Sequence, residues 1–165
     1  MMCRSMCAIL CVTALAVTAT AVEPKNPEAA IDKVLSSFHA AASEANGDLY
    51  FSLFAEGAVF MGTDATERWS VDQFKAFAEP YFSQGRGWTY TKTERHISVS
   101  ADGTTAWFDE VLWNEAYGTC RGTGVLLLTD FGWRIAQYNL SIPIPNDLTR
   151  DFAARIKEFE KMPLR

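Results

Sequence analysis

Apolar positions along the chain change period once, and the change divides the sequence into a helical first half and a β second half. Ile31, Leu35, Phe38, Ala42 and Ala45 recur at helical spacing, so a long first helix carries one apolar face. Asn46-Gly47 stops it, and Asp48 is placed to cap a second, short helix running through Phe54. Gly57 then releases an extended piece over 58–62, and a loop from Thr63 to Trp69 leads to a third helix. Ser70 followed by Gln73 is a capping box for that helix. Phe74, Phe77 and Tyr81 form its expected buried stripe, and Pro80 with Gly85-Arg86-Gly87 ends it. From Trp88 the period drops to two. Strands are predicted over 88–100, 104–117, 120–129 and 133–141, joined by turns at Asp102-Gly103, Gly118-Thr119 and Asp130-Phe131-Gly132. Pro143 and Pro145 break the last strand, and Asn146-Asp147 can cap a final amphipathic helix with Leu148, Phe152, Ile156 and Phe159 on one side.

Helices followed by a meander of strands predict an α+β domain: a curved antiparallel sheet wrapped as a cone around three N-terminal helices, with a C-terminal helix after it. Two segments sharpen this reading. The stretch GDLYFSLFAEGAVFMGTD, from Gly47, resembles the second-helix and first-strand segment of nuclear transport factor 2-like, or SnoaL-like, domains. The stretch GWRIAQYNLSIPIPND, from Gly132, resembles their closing strand. The resemblance spans Ala29 to Leu148 and implies the cone-shaped fold with an internal pocket. It leaves function open, because that superfamily holds ketosteroid isomerases, polyketide cyclases, dehydratases, epoxide hydrolases, transport adaptors and pocket proteins. It also implies that the position of Asn139, often a histidine in such domains, points into the cone, and that dimers form sheet against sheet.

The turns allow the strands to be paired. With Asp102-Gly103 as a hairpin loop, Ile97 lies opposite Phe108, His96 opposite Asp109, and Arg95 opposite Glu110. Neighbouring side chains on a strand point to opposite faces, so Asp109 and Glu110 part company and each gains a basic partner. Extending through Gly118-Thr119 puts Glu110 opposite Leu127. It gathers Arg95, Glu110, Asn114, Arg121, Gln137 and Asn139 at one end of the concave face, beyond an apolar floor. The other face would carry Trp88, Tyr90, His96, Trp107, Asp109, Trp113, Leu126, Leu128 and Tyr138. So aromatic a face suits burial in a homodimer, or beneath the C-terminal segment.

Composition changes this picture at the N-terminus. Residues 1–21 carry one cation, Arg4, then an apolar run from Cys7 to Val17 and a small-residue end at Ala19-Thr20-Ala21, which is the layout of a secretory signal peptide. The run is short for a membrane span, which needs about 20 apolar residues. Cleavage after Ala21 would leave 144 of the 165 residues, with 22–28 as a linker, 29–148 as the domain and 149–165 as a helical tail. It would also take three of the four cysteines and leave only Cys120, so the exported chain, periplasmic or secreted, must rely on its core rather than on an internal disulfide. Net charge would move from −5 to −6, a poor basis for binding nucleic acid or an anionic membrane.

Candidate chemistry then rests on a few side chains. Glu110 beside Arg95 can serve as a general base in an apolar cone, or as a structural ion pair. His96 with Asp109 is the alternative dyad, a carboxylate orienting an imidazole. Asp64 in the loop after the first strand is a possible second acid. Tyr81, Trp69, Asn114, Arg121, Gln137 and Asn139 are candidate ligand contacts. Two histidines with no paired metal-ligand spacing predict no metal site, and no glycine-rich phosphate loop follows a strand, so no cofactor is expected. The expected partner is a small, largely apolar molecule. It is either a substrate for cofactor-free isomerisation, dehydration or hydrolysis, or a ligand that is only held.

Overall fold

Asn26 opens the first helix by accepting the Ala29 N–H on its side-chain oxygen, with Pro27 at the first helical position. The computed structural model describes residues 26–162. Residues 1–25, with the expected signal segment, lie outside it. Helix α1 (Pro27–Ser43) buries Ile31, Leu35, Phe38 and Ala42 of the stripe its spacing predicts, with Ala41 beside them, while Ala45 lies past the helix end at φ +53°. The second helix, α2 (Gly47–Ser52), is capped by Asn46 and not by Asp48: the Asn46 side chain sits two residues earlier and accepts the Leu49 N–H at 3.1 Å.

Strand β1 (Phe54–Met61) is longer than the extended piece expected, and Gly57 turns a bulge within it at φ +71°. The loop that follows contains a short strand, β2 (Arg68–Ser70), paired antiparallel to β1. The capping box on Ser70 and Gln73 starts α3 (Val71–Phe82) as predicted. The buried stripe of α3 is Phe74, Ala78 and Phe82, every fourth residue. This turns Phe77 and Tyr81 outward, 46% and 39% exposed, and Pro80 sits inside the last turn instead of ending the helix.

Four longer strands complete one six-stranded sheet, β3 (Thr91–Val99), β4 (Thr105–Asn114), β5 (Gly118–Thr129) and β6 (Gly132–Ser141), in the order β2-β1-β6-β5-β4-β3. Only β1 and β6 run parallel. The first hairpin has the expected register, with Arg95 opposite Glu110 and His96 opposite Asp109.

The second hairpin does not. Its turn is Glu115-Ala116-Tyr117, stabilised by the Asn114 side-chain oxygen accepting the Ala116 and Tyr117 N–H groups, and Gly118 takes φ +71°. Asn114 therefore pairs with Gly118, and Glu110 with Gly122 rather than Leu127. A shift by an odd number of residues exchanges the faces of β5. Leu126 turns inward and Arg121 outward.

Bulges re-phase two further strands. One between Ile135 and Tyr138 keeps Trp133 and Ile135 inside but brings Tyr138 and Leu140 in after them, which puts Gln137 and Asn139 on the outer face. Another, between Lys92 and Glu94, turns Trp88 and Tyr90 toward the cone.

The core is rich in stacked rings: Phe38 lies 4.4 Å from Tyr50, and Phe60 lies 3.9 Å from Phe74. After β6, a single 3-10 turn leads to α4 (Thr149–Phe159), which has no side-chain cap from Asn146 or Asp147. Its stripe of Leu148, Phe152, Ile156 and Phe159 is exposed.

Candidate functional site

Glu110 sits mid-strand on the face that curves toward α1, and none of its surface reaches solvent. A carboxylate so placed needs partners on both oxygens. The Tyr138 hydroxyl on β6 donates to Oε1 at 2.8 Å. His39 Nε2 on α1 lies 2.8 Å from the same oxygen, and it donates, because an ionised carboxylate offers only acceptors. Arg95 Nε donates to Oε2 at 2.8 Å, while Nη2 makes an ionic contact with that oxygen at 2.6 Å without hydrogen-bond alignment. Burial pushes the Glu110 carboxyl up, but the hydrogen bond and charge of His39, the charge of Arg95 and the Tyr138 hydroxyl outweigh it and hold the group below its ordinary 4.5. Burial, and then the Glu110 charge, drives the Tyr138 phenol well above its usual range, so it stays a protonated donor.

The network continues outward. Arg95 Nη1 donates to the Asp32 carboxylate at 2.7 Å and reaches the Ser36 hydroxyl at 3.2 Å, and Lys92 Nζ meets the same Asp32 oxygen at 2.9 Å. Gly122 makes the inner cluster possible, since a Cβ there would run into the Tyr138 hydroxyl and the Glu110 side chain.

The cone opens at its other end into a pocket of about 960 Å³. Its walls hold eight aromatic side chains: Phe60, Trp69, Phe74, Phe77, Trp88, Tyr90, Trp113 and Tyr117. The walls are braced, with Trp69 stacked on Phe77 at 4.8 Å and on Phe74 at 5.5 Å, and Trp88 packed on Phe82 at 4.6 Å. Burial, with smaller contributions from Cys120, Tyr117 and Glu67, pushes the Tyr90 phenol up to about 12. Glu110 does not line this pocket.

The expected site residues therefore separate. Glu110 and Arg95 meet as a buried pair. Trp69 and Asn114 line the pocket, although Asn114 is occupied in turn bonds and in a donation to the Thr89 carbonyl at 3.0 Å. Asp64 is an exposed turn residue that accepts from both the N–H and the hydroxyl of Thr66. Tyr81 lies outside the pocket, against Phe77 and beneath the Arg86 guanidinium. Arg121, Gln137 and Asn139 occupy the outer face, for the register reasons above. His96 and Asp109 face each other in register but on that exposed outer face, and His96 Nε2 bonds Glu94 at 2.8 Å instead. Cys120 is buried, and burial raises its thiol.

The family model for the SnoaL-like domain matches residues 31–145. The chain belongs to the SnoaL-like family. A search of the curated proteins gives no match. Among solved structures, an NTF2-like protein of unknown function from Pseudomonas putida KT2440 superposes with a TM-score of 0.61 at 12% identity, covering 73% of this chain and 89% of that one. A domain of unknown function with a cystatin-like fold from Nostoc punctiforme gives 0.61 at 17% identity, covering 85% and 89%. A candidate dehydratase of the NTF2-like family from Streptomyces avermitilis gives 0.60 at 13%, covering 71% and 96%. At these identities the likeness shows the shared fold alone.

Within the SnoaL-like cone, sequence reasoning missed five members of the Glu110 network: His39 and Tyr138 against the carboxylate, and Asp32, Ser36 and Lys92 beyond Arg95. Two signals were present. Asp32, Ser36 and His39 stand at i, i+4 and i+7, a polar stripe along the helix beside the apolar one. Gly122 and Gly124 alternate on one strand face, which marks a close approach from the neighbouring strand.

Proposed function

We propose that this SnoaL-like protein binds a small, largely apolar molecule in the aromatic pocket at the mouth of its cone, and that the Glu110 network behind it holds α1 to the sheet. The observation that carries this reading is the separation of the two: a braced aromatic pocket lies on one side, and on the other a carboxylate whose oxygens are already partnered and which does not line that pocket. The neutral probe 3-tert-butylphenol, titrated calorimetrically, is expected to bind saturably. Trp69→Ala is expected to weaken it about tenfold through lost ring contact, while Trp107→Ala, on the outer face, leaves it unchanged. If neither this phenol nor a charged probe of the same shape binds saturably, the proposal falls.

A second reading, acid–base catalysis by Glu110, is favoured by one observation: the 2.8 Å contact to His39, a distance suited to proton transfer. The Glu110→Gln variant separates the two. Retained affinity with lost turnover supports catalysis; loss of stability alone supports the structural role.

Export belongs to the same proposal. Residues 1–21 have the layout of a signal peptide, and N-terminal sequencing of the protein recovered outside the cytoplasm is expected to begin at Val22. A mature chain still beginning at Met1 would count against it.

A further inference from the structure

The charge of the pocket wall narrows the class of ligand. Alongside the eight rings, its lining includes two carboxylates, Glu67 and Glu115, and among the described residues no lysine, arginine or histidine. An anionic ligand would meet negative groups with no cation to offset them. A wholly neutral guest would strip water from the half-buried Glu67 carboxylate and return nothing for it. A cation with an apolar body satisfies both components, since aromatic faces attract cations through their quadrupoles and the carboxylate supplies the opposite charge.

Glu67 is held for this position. Its side chain lies against Gly62, where any Cβ would collide with the carboxylate, and both residues line the pocket. The Asp64 N–H donates to Oε2 at 3.2 Å and is the sole hydrogen bond to that carboxylate among the described residues. The Glu67 charge is also felt at the Tyr90 phenol across the pocket. Trp69, Trp88 and Tyr117 complete a ring-lined recess whose acid has no partner cation among the described residues.

We infer that the pocket selects a cationic amine, of the quaternary or hindered ammonium class carried on an apolar or aromatic body, with Glu67 as its counter-charge. This inference rests on the reading of the pocket as a small-molecule site. The test compares three probes of nearly equal size on the full domain by calorimetry: 3-hydroxyphenyltrimethylammonium, its neutral isostere 3-tert-butylphenol, and the anion 3-hydroxybenzoate. The ammonium is expected to bind about tenfold more tightly than the isostere, and the anion most weakly. Glu67→Gln, whose amide oxygen can still accept from the Asp64 N–H, is expected to bring the ammonium preference below about threefold by weakening ammonium binding, with 3-tert-butylphenol affinity unchanged or raised as the cost of desolvating the carboxylate disappears. Glu115→Gln, at the exposed rim, is expected to reduce the preference less. If the isostere binds as well as the ammonium, or if Glu67→Gln leaves the ratio intact, the cation assignment falls and the pocket stands. If no probe binds, the pocket reading falls and takes this one with it.

Discussion

At the scale of single residues, Glu110 decides how much of this fold depends on one charge. Its partners come from α1, β3 and β6, so its removal leaves the buried Arg95 guanidinium with only the solvent-exposed Asp32 carboxylate to offset it; losing one partner of a buried pair costs up to roughly 3–5 kcal/mol. Glu110→Gln is expected to lower stability in urea unfolding by that order. The pH dependence follows from the direction of the carboxyl shift. The folded group titrates below its ordinary 4.5, so the unfolded chain binds the proton more readily. Its contribution is complete above about 4.5 and is lost as pH falls through the folded value. The unmodified protein should therefore lose stability on acidification through that window, and the variant should lack this part of the slope. An unchanged slope in the variant would assign the acid transition to other carboxylates, Asp32 foremost, which the Lys92 hydrogen bond and Arg95 hold low against the opposing effect of burial.

At the scale of elements, the helices and the first hairpin were legible in the sequence, and the later strands were legible only in part. Capping chemistry and apolar spacing are local, so Ser70 with Gln73 and the stripe of α1 could be read directly. Glu110 was correctly turned inward because only one short turn separates it from Arg95. Each further turn or bulge can reverse the phase of everything after it. The Glu115-Ala116-Tyr117 turn and the bulge before Tyr138 did so, moving Arg121, Gln137 and Asn139 out and Tyr138 in. His39 shows no partner at short range in the sequence, because Glu110 lies 71 residues away along the chain. Gly122 tests this arrangement. Gly122→Ala inserts a methyl where the Tyr138 hydroxyl and Glu110 already sit, and a thermal or urea measurement is expected to show a loss of about 1–3 kcal/mol. A neutral result would mean that β5 can shift away at no cost.

At the scale of the whole molecule, the outer face of the sheet remains to be accounted for. Trp107 and Leu127 are exposed there, with Trp107 at 51%, and Asp109, His96 and Arg121 place both signs of charge among them. Such a face can be complementary to itself across a twofold axis. We propose that a second copy covers it. Sedimentation is expected to show a dimer that Trp107→Ser converts to monomer without loss of probe affinity. A monomer at every concentration would sink this proposal.

The bulge that turns Trp88 and Tyr90 inward has a consequence at the rim of the sheet as well. It lies in β3, an outermost strand, where an uninterrupted row of free backbone groups would invite strands from other molecules to add on. The bulge breaks that row at Thr93, whose hydroxyl bonds back to the Val111 carbonyl, while Lys92 and Glu94 flank the break with opposite charges. The opposite rim, β2, is only three residues long. The irregularity that shapes the pocket thus also interrupts the edge that strand addition would need, so the proposed second copy is expected on the broad outer face rather than at the rims.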